Sequence, residues 1–184
     1  MIASTLPISK FCQSNYFTGR GEEGALLIRW PEKYSPERTS VHVSNQLEMS
    51  VHPEVVWAWL IRAELWPTWY ANSKQVVIDG GGPDLGLRSR FRWTTFGVRL
   101  DSKVEEFLPF ERLAWSARAM GIDAYHAWLI EKRPSECLVL TEEAQNGWLA
   151  RLSDALRPLN MSKQHQNWLE SLKRKSSEGP PPAT

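Results

Sequence analysis

The stretch LRSRFRWTTFGVRLDSKVEEFL, residues 87–108, decides the fold of this chain. In its first half Arg88, Arg90 and Arg92 point one way, and Leu87, Ser89, Phe91 and Trp93 the other. In its second half Arg99, Asp101, Lys103 and Glu105 oppose Val98, Leu100, Ser102 and Val104. Two runs of period-two alternation predict two strands, each with one wet and one covered face, as in an antiparallel sheet. Phe96-Gly97 between them predicts a hairpin turn. Upstream, Gln75–Asp79 is a short strand ended by Gly80-Gly81-Gly82-Pro83. Downstream, Pro109 closes the second strand, and Leu113, Trp115 and Ala117 mark the next. Ala124–Glu131 and Cys137–Glu143 form a last hairpin across Lys132–Ser135.

Helices flank this block. Val41, Val43, Leu47 and Met49 alternate with polar residues and give a half-buried first strand, in which Asn45 breaks the apolar parity. Asn45 therefore reads as a defect, a bulge or a polar group facing the interior. Ser50 opens a helix with Pro53 in its first turn and Glu54 at the positive end of its dipole. Pro67 in Trp66-Pro67-Thr68-Trp69 disfavours helical geometry at Trp66, so a break and a second short helix follow. At the C-terminus Leu149, Leu152, Leu156 and Leu159 mark a stripe that Trp168, Leu169 and Leu172 continue. Pro158 predicts a kink or break within it. The fold class is α+β: a curved antiparallel sheet of about seven strands with helices at both ends of the block.

The chain's 184 residues fit one domain with appendages, and 42% hydrophobic against 23% charged residues is a globular balance. A net charge of +1 offers no basic field for a nucleic-acid backbone. The longest apolar run, residues 55–61, is far short of the ~20 residues of a membrane span. Cys12 and Cys137 make no disulfide framework and residues 1–13 no secretion signal, so the expected compartment is the cytoplasm. Residues 1–38, broken by Gly19, Gly21, Gly24, Pro31 and Pro36, read as an N-terminal extension whose segment 25–30 lies against the domain; residues 39–175 form the domain and 176–184 a flexible tail.

Several local motifs carry a resemblance. Pro53-Glu54-Val55-Val56-Trp57 follows the first strand, and Trp66-Pro67-Thr68-Trp69 marks the second helix. Val104-Glu105-Glu106 leads to Pro109, and Arg112-Leu113-Ala114-Trp115 and His126-Ala127-Trp128 lie beyond it. With the element order, they make residues 39–175 resemble the SRPBCC superfamily of START-like proteins, birch-pollen allergen and polyketide cyclases, most of all its polyketide cyclase/dehydrase branch. The resemblance implies a helix-grip, in which the sheet curls around a long C-terminal helix and leaves a cavity. Relatives use that cavity for lipids, sterols, quinones, plant hormones or polyketide intermediates, and some bind a chaperone by their surface instead.

Strand parity assigns the inner face without the family. Phe91, Trp93, Leu100, Ser102 and Val104 look inward, and Trp115 follows on the next strand. A four-residue turn at Lys132–Ser135 pairs Trp128 with Val139 and His126 with Thr141, leaving Glu143 diagonal to His126 at about 7–8 Å. Trp69, Phe91, Trp93, Trp115, His126, Trp128, Thr141 and Glu143 are the candidate ligand-binding residues, out of a chain with ten tryptophans. Trp57, Trp59 and Trp168 read as core. The first reading is a protein that binds a small hydrophobic or aromatic molecule and takes no cofactor. An alternative is a cyclase or dehydratase in which His126 and Glu143 are catalytic and carry protons. A second alternative is a protein-interaction domain using Trp59 and the outer sheet face. Four histidines without HExxH or Cys/His ligand spacing predict no metal, and no phosphate loop or GxSxG elbow occurs.

Overall fold

A computed structural model describes residues 28–183 of the chain. The expectations placed on residues 1–27 lie outside it. Seven antiparallel strands form one curved sheet: β1 (Val41–Met49), β2 (Lys74–Ile78), β3 (Arg90–Thr95), β4 (Val98–Leu108), β5 (Arg112–Ala119), β6 (Ile122–Lys132) and β7 (Cys137–Asn146). Their spatial order is β1-β7-β6-β5-β4-β3-β2, so each neighbouring pair except β1–β7 is a sequential hairpin or short connection. The helices are α1 (Pro53–Ile61), a 3-10 helix over Ala63–Thr68, α2 (Trp148–Leu156) and α3 (Asn160–Ser177).

The β3–β4 parity holds where the strands run. Phe91, Trp93, Leu100, Ser102 and Val104 are buried. The turn at Phe96 and Gly97 has both residues at positive φ, as a two-residue hairpin loop matching strand twist requires. β3 starts only at Arg90, however; Arg88 is left-handed and Leu87, expected to face inward, is exposed.

The last hairpin departs from the expected register by two residues. Its loop is Arg133–Glu136, Lys132 pairs with Cys137, Trp128 with Thr141, and His126 with Glu143 directly. A shift of two preserves which face each side chain occupies. It changes Glu143 from a diagonal neighbour of His126 into its cross-strand partner.

The helices cover one face. Pro67 sits inside the 3-10 helix, the chain having left α-helical geometry already at Arg62. Asn45 faces the helix side of the sheet, donating to Gln166 at 3.3 Å and accepting from Ser162 at 3.4 Å, so the parity break is a polar tie to α3. Proline and left-handed Leu159 break the C-terminal segment into α2 and α3. Trp168, Leu169 and Leu172 are buried, as the stripe predicts, but Leu152, Leu156 and Leu159 are exposed. The stripe therefore does not run continuously into the core; α2 is rotated with its more polar side over the sheet. Trp59 is buried as well, its indole donating to the Gly179 carbonyl at 2.7 Å under the Lys175 ammonium, so it presents no surface for a partner. The segment expected to fray thus lies against α1, where Arg62 also donates to the Pro182 carbonyl.

On the opposite face of the sheet, Tyr34 stacks on Tyr125 at 5.3 Å and donates to Asp123 at 2.6 Å, while Trp30 packs on His42 and Tyr125. Residues 28–38 thereby cover Ala114, Tyr125, Ala127 and Ala144. This cover explains why β5 and β6 are buried on both faces.

Candidate functional site

Between the inner face of the sheet and α2 and α3 lies a partly enclosed cavity of about 270 Å³. Its apolar walls come from the strands: Trp93, Leu100, Trp115 and Ala117 stand on successive inward positions, and Tyr70 and Trp168 close the helix side. α2 roofs it with Leu149, Ala150, Ser153, Asp154 and Arg157. Of the expected binding residues, Trp93, Trp115, His126 and Glu143 line this space. Trp69, Phe91, Trp128 and Thr141 do not. Phe91 packs edge-on against Trp66 and Trp115, Trp128 stacks behind His126, and Trp69 lies beside Tyr70 in the core. Thr141 is fully buried and reaches the cavity only through His126.

One end of the cavity is polar. His126 Nδ1 is 3.2 Å from Glu143 Oε2, and its Nε2 is 2.7 Å from Thr141 Oγ1. The same carboxylate oxygen lies 3.0 Å from Nε2 of His165, on α3, while Gln145 donates to Oε1. The two imidazoles stack at 4.7 Å. His165 and Gln145 were not among the expected residues, yet each has a readable signal. His165 precedes Trp168 by three and Leu169 by four residues on the apolar side of α3, and Gln145 shares the strand face of Glu143.

Burial drives the His126 imidazole down to about 3, with His165 adding to the fall and Glu143 opposing it. Burial by itself would raise the Glu143 carboxyl. The hydrogen bond from His165, the charges of both imidazoles and the amide of Gln145 outweigh it and hold the acid at about 2. At neutral pH the pair is thus a carboxylate beside a neutral ring. Such a ring carries its proton on Nδ1 toward Glu143 and accepts at Nε2 from the Thr141 hydroxyl. The 15% of the Glu143 side chain that stays exposed opens on the cavity. Burial also pushes the Tyr70 phenol up to about 12, so it lines the wall as a neutral donor. Among the described residues, the indole N–H groups of Trp115 and Trp168 have no partner.

Among the described residues no helix is long and apolar enough to cross a membrane. The model of the family described as "polyketide cyclase / dehydrase and lipid transport" matches residues 40–177. Hypothetical protein jhp0584 from Helicobacter pylori is 33% identical, with a TM-score of 0.78, over 85% of this chain and 99% of that one. A START superfamily protein from Mycobacterium smegmatis has a TM-score of 0.62 at 14% identity, over 74% of this chain and 97% of that one. The di-domain ARO/CYC StfQ from the steffimycin biosynthetic pathway has a TM-score of 0.60 at 13% identity, over 75% of this chain and 51% of that one. The last two likenesses are of fold alone. No protein of curated function matches.

Proposed function

The chain belongs to the polyketide cyclase/dehydrase and lipid transport family, and from that premise we propose that it binds one small apolar or aromatic molecule in the cavity under α2. The observation that carries this reading is the cavity's construction: largely apolar walls bearing Tyr70, Trp93, Trp115 and Trp168, a polar end at His126, Glu143 and His165, and a roof to which α2 adds Ser153, Asp154 and Arg157. Pockets with that division orient a ligand by its few polar atoms and hold it by its apolar body. Size narrows the class. A volume of about 270 Å³ equals the liquid share of about nine water molecules, which suits a one- or two-ring molecule or a short chain. The ligand's polar group meets His126, Glu143 and His165.

Acid–base turnover by His126 and Glu143 is the second reading, favoured by their 3.2 Å contact. Their proton affinities argue against it, since a general acid or base works best with a pKa near the operating pH, and both groups are held far below neutrality.

Two substitutions test the proposal. Trp93 lines the cavity, whereas Trp57 packs on Phe107 and Phe110 away from it. Trp93→Ala is expected to weaken binding of a naphthol probe about tenfold, or ~1.4 kcal/mol. Trp57→Ala is expected to leave that affinity within twofold and to cost about 3 kcal/mol of stability, more than Trp93→Ala does. Fluorescence titration and thermal melts of both variants read the ranking, and the reverse order overturns the assignment of the cavity as the binding site. Native mass spectrometry of protein from its own host would identify a retained molecule. A His126→Ala protein that keeps affinity for that molecule but no longer converts it would establish the second reading instead.

A further inference from the structure

We propose that His126, Glu143 and His165 form a binding site for one divalent transition-metal ion at the polar end of the cavity. The inference goes beyond the binding of an organic ligand and does not depend on it.

The donor atoms are already gathered. Glu143 Oε2 stands 3.2 Å from His126 Nδ1 and 3.0 Å from His165 Nε2, and all three donors lie within 4.8 Å of one another. An ion held at about 2.0–2.2 Å by nitrogen and oxygen ligands keeps neighbouring donors about 3–3.5 Å apart in tetrahedral or octahedral geometry. Two of the three spacings meet that condition without movement. The donors come from β6, β7 and α3, so no local spacing motif announces them in the sequence. All three residues line the cavity, which leaves the remaining coordination positions facing its interior.

The surroundings supply two of the three outer contacts a metal site uses, while His165 Nδ1 is buried without a partner among the described residues. A ligating histidine is normally held by a hydrogen bond at its other ring nitrogen, and a ligating carboxylate by one at its other oxygen. Here Thr141 Oγ1 holds His126 Nε2 at 2.7 Å, and Gln145 holds Glu143 Oε1. Loading would move the His126 proton from Nδ1 to Nε2, and the Thr141 hydroxyl, a donor now, would become the acceptor without rebuilding the contact. Charge points the same way. Among the described residues the only ion-pair partners of Glu143 are the two imidazoles. His126 packs among the Trp115, Trp128 and Trp168 rings, and the carboxylate it meets, with no lysine or arginine paired to it among the described residues, gains from a dication. Two imidazoles and one carboxylate select a borderline ion such as Zn²⁺, Co²⁺ or Fe²⁺ over Mg²⁺ or Ca²⁺.

The test uses the full chain without a histidine tag, stripped with a chelator, and titrated with Zn²⁺ by calorimetry and with Co²⁺ by visible absorption. One equivalent is expected to bind, with Co²⁺ bands of a nitrogen–oxygen ligand set. Glu143→Gln keeps the shape and is expected to lose about 100-fold or more in affinity, and Thr141→Val about tenfold. If Glu143→Gln does not fold by circular dichroism, His165→Gln takes its place with the same expected loss. His42→Gln removes the separate His42–Glu142 pair at 3.1 Å and is expected to leave the stoichiometry at one. No stoichiometric binding, full affinity in the folded site variants, or loss of the ion in His42→Gln would each overturn the proposal, leaving a hydrogen-bonded cluster that ties α3 to the sheet. No organic probe is present in these titrations, so their failure leaves the cavity's ligand reading standing.

Discussion

Trp168→Ala is expected to remove about 3–5 kcal/mol of stability and about 10 °C or more of melting temperature, the largest loss of any single tryptophan. The reason is its position as the hub of a ring network. It stacks on Tyr70 at 4.6 Å with planes 5° apart and meets Trp66, Trp93, Trp115, Trp128 and His126 at 5.1–6.3 Å. Those partners stand on the 3-10 helix, on β3, β5 and β6, and beside β2, so one indole joins α3 to most of the inner face. Truncation loses the burial of a large ring and several offset or edge-on contacts at once, and the rigid sheet behind it cannot collapse into the space. Trp148→Ala is the internal control. That ring is 59% exposed, and its removal is expected to change stability by less than about 0.5 kcal/mol. Equal effects of the two substitutions in urea or thermal unfolding would show that α3 is not held by this network.

Sequence reading reaches the sheet further than it reaches the site. Alternating arginines with Phe91 and Trp93 put charge on one face and rings on the other, and burial leaves no other orientation, so the strands and their inner face are legible locally. The last hairpin shows the limit. Lys132–Ser135 and Arg133–Glu136 are equally good four-residue loops by composition, and only pairing with β1 and β5 chooses between them. Because the difference is two residues, Glu143 still falls on the face of His126, and the proximity of the pair survives a wrong register. Trp69, Phe91, Trp128 and Thr141 illustrate the converse. Facing inward is a matter of parity, but standing at the cavity rather than behind another ring is a matter of helix placement, which parity does not contain. His165 is legible locally as a core-facing position, three and four residues before Trp168 and Leu169, but its meeting with Glu143 is set only once α3 is docked. The leucines of α2 mislead because an apolar stripe normally marks the core side. Here the leucines at 152 and 156 are exposed, while the first turn of α2 is tied to the β5–β6 turn through the Leu149 amide and the Gly121 carbonyl.

The connection between β7 and α2 is the subject of the second large effect. Gly147→Ala is expected to undock α2 from the sheet. Gly147 has φ +111° and ψ 161°, a region open to glycine and strongly unfavourable for any residue with a Cβ. An added Cβ would also lie 2.2 Å from the Gly121 carbonyl oxygen and 2.8 Å from its carbon. The obstacle is backbone in the β5–β6 turn, so no side chain can swing aside. The same carbonyl accepts the Leu149 amide at 3.1 Å, which fastens the first turn of α2 to that turn. Strain and overlap together cost about 3 kcal/mol in the docked arrangement. With Trp148, Leu152 and Leu156 exposed, α2 has little buried surface to oppose that cost, so the element yields locally while the sheet stays folded. Hydrogen exchange is therefore expected to show amides 149–156 losing protection while β5 and β6 keep theirs. Because Leu149, Ala150 and Arg157 roof the cavity, probe affinity is expected to fall by about tenfold or more alongside. Gly97→Ala separates strain from overlap: its φ is +77° with nothing within 4 Å of the added Cβ, so only about 1 kcal/mol is expected there, with α2 still protected. If Gly147→Ala behaves like Gly97→Ala, the β7–α2 junction does not set the roof's position, and the exposed face of α2 must be explained by something other than this glycine.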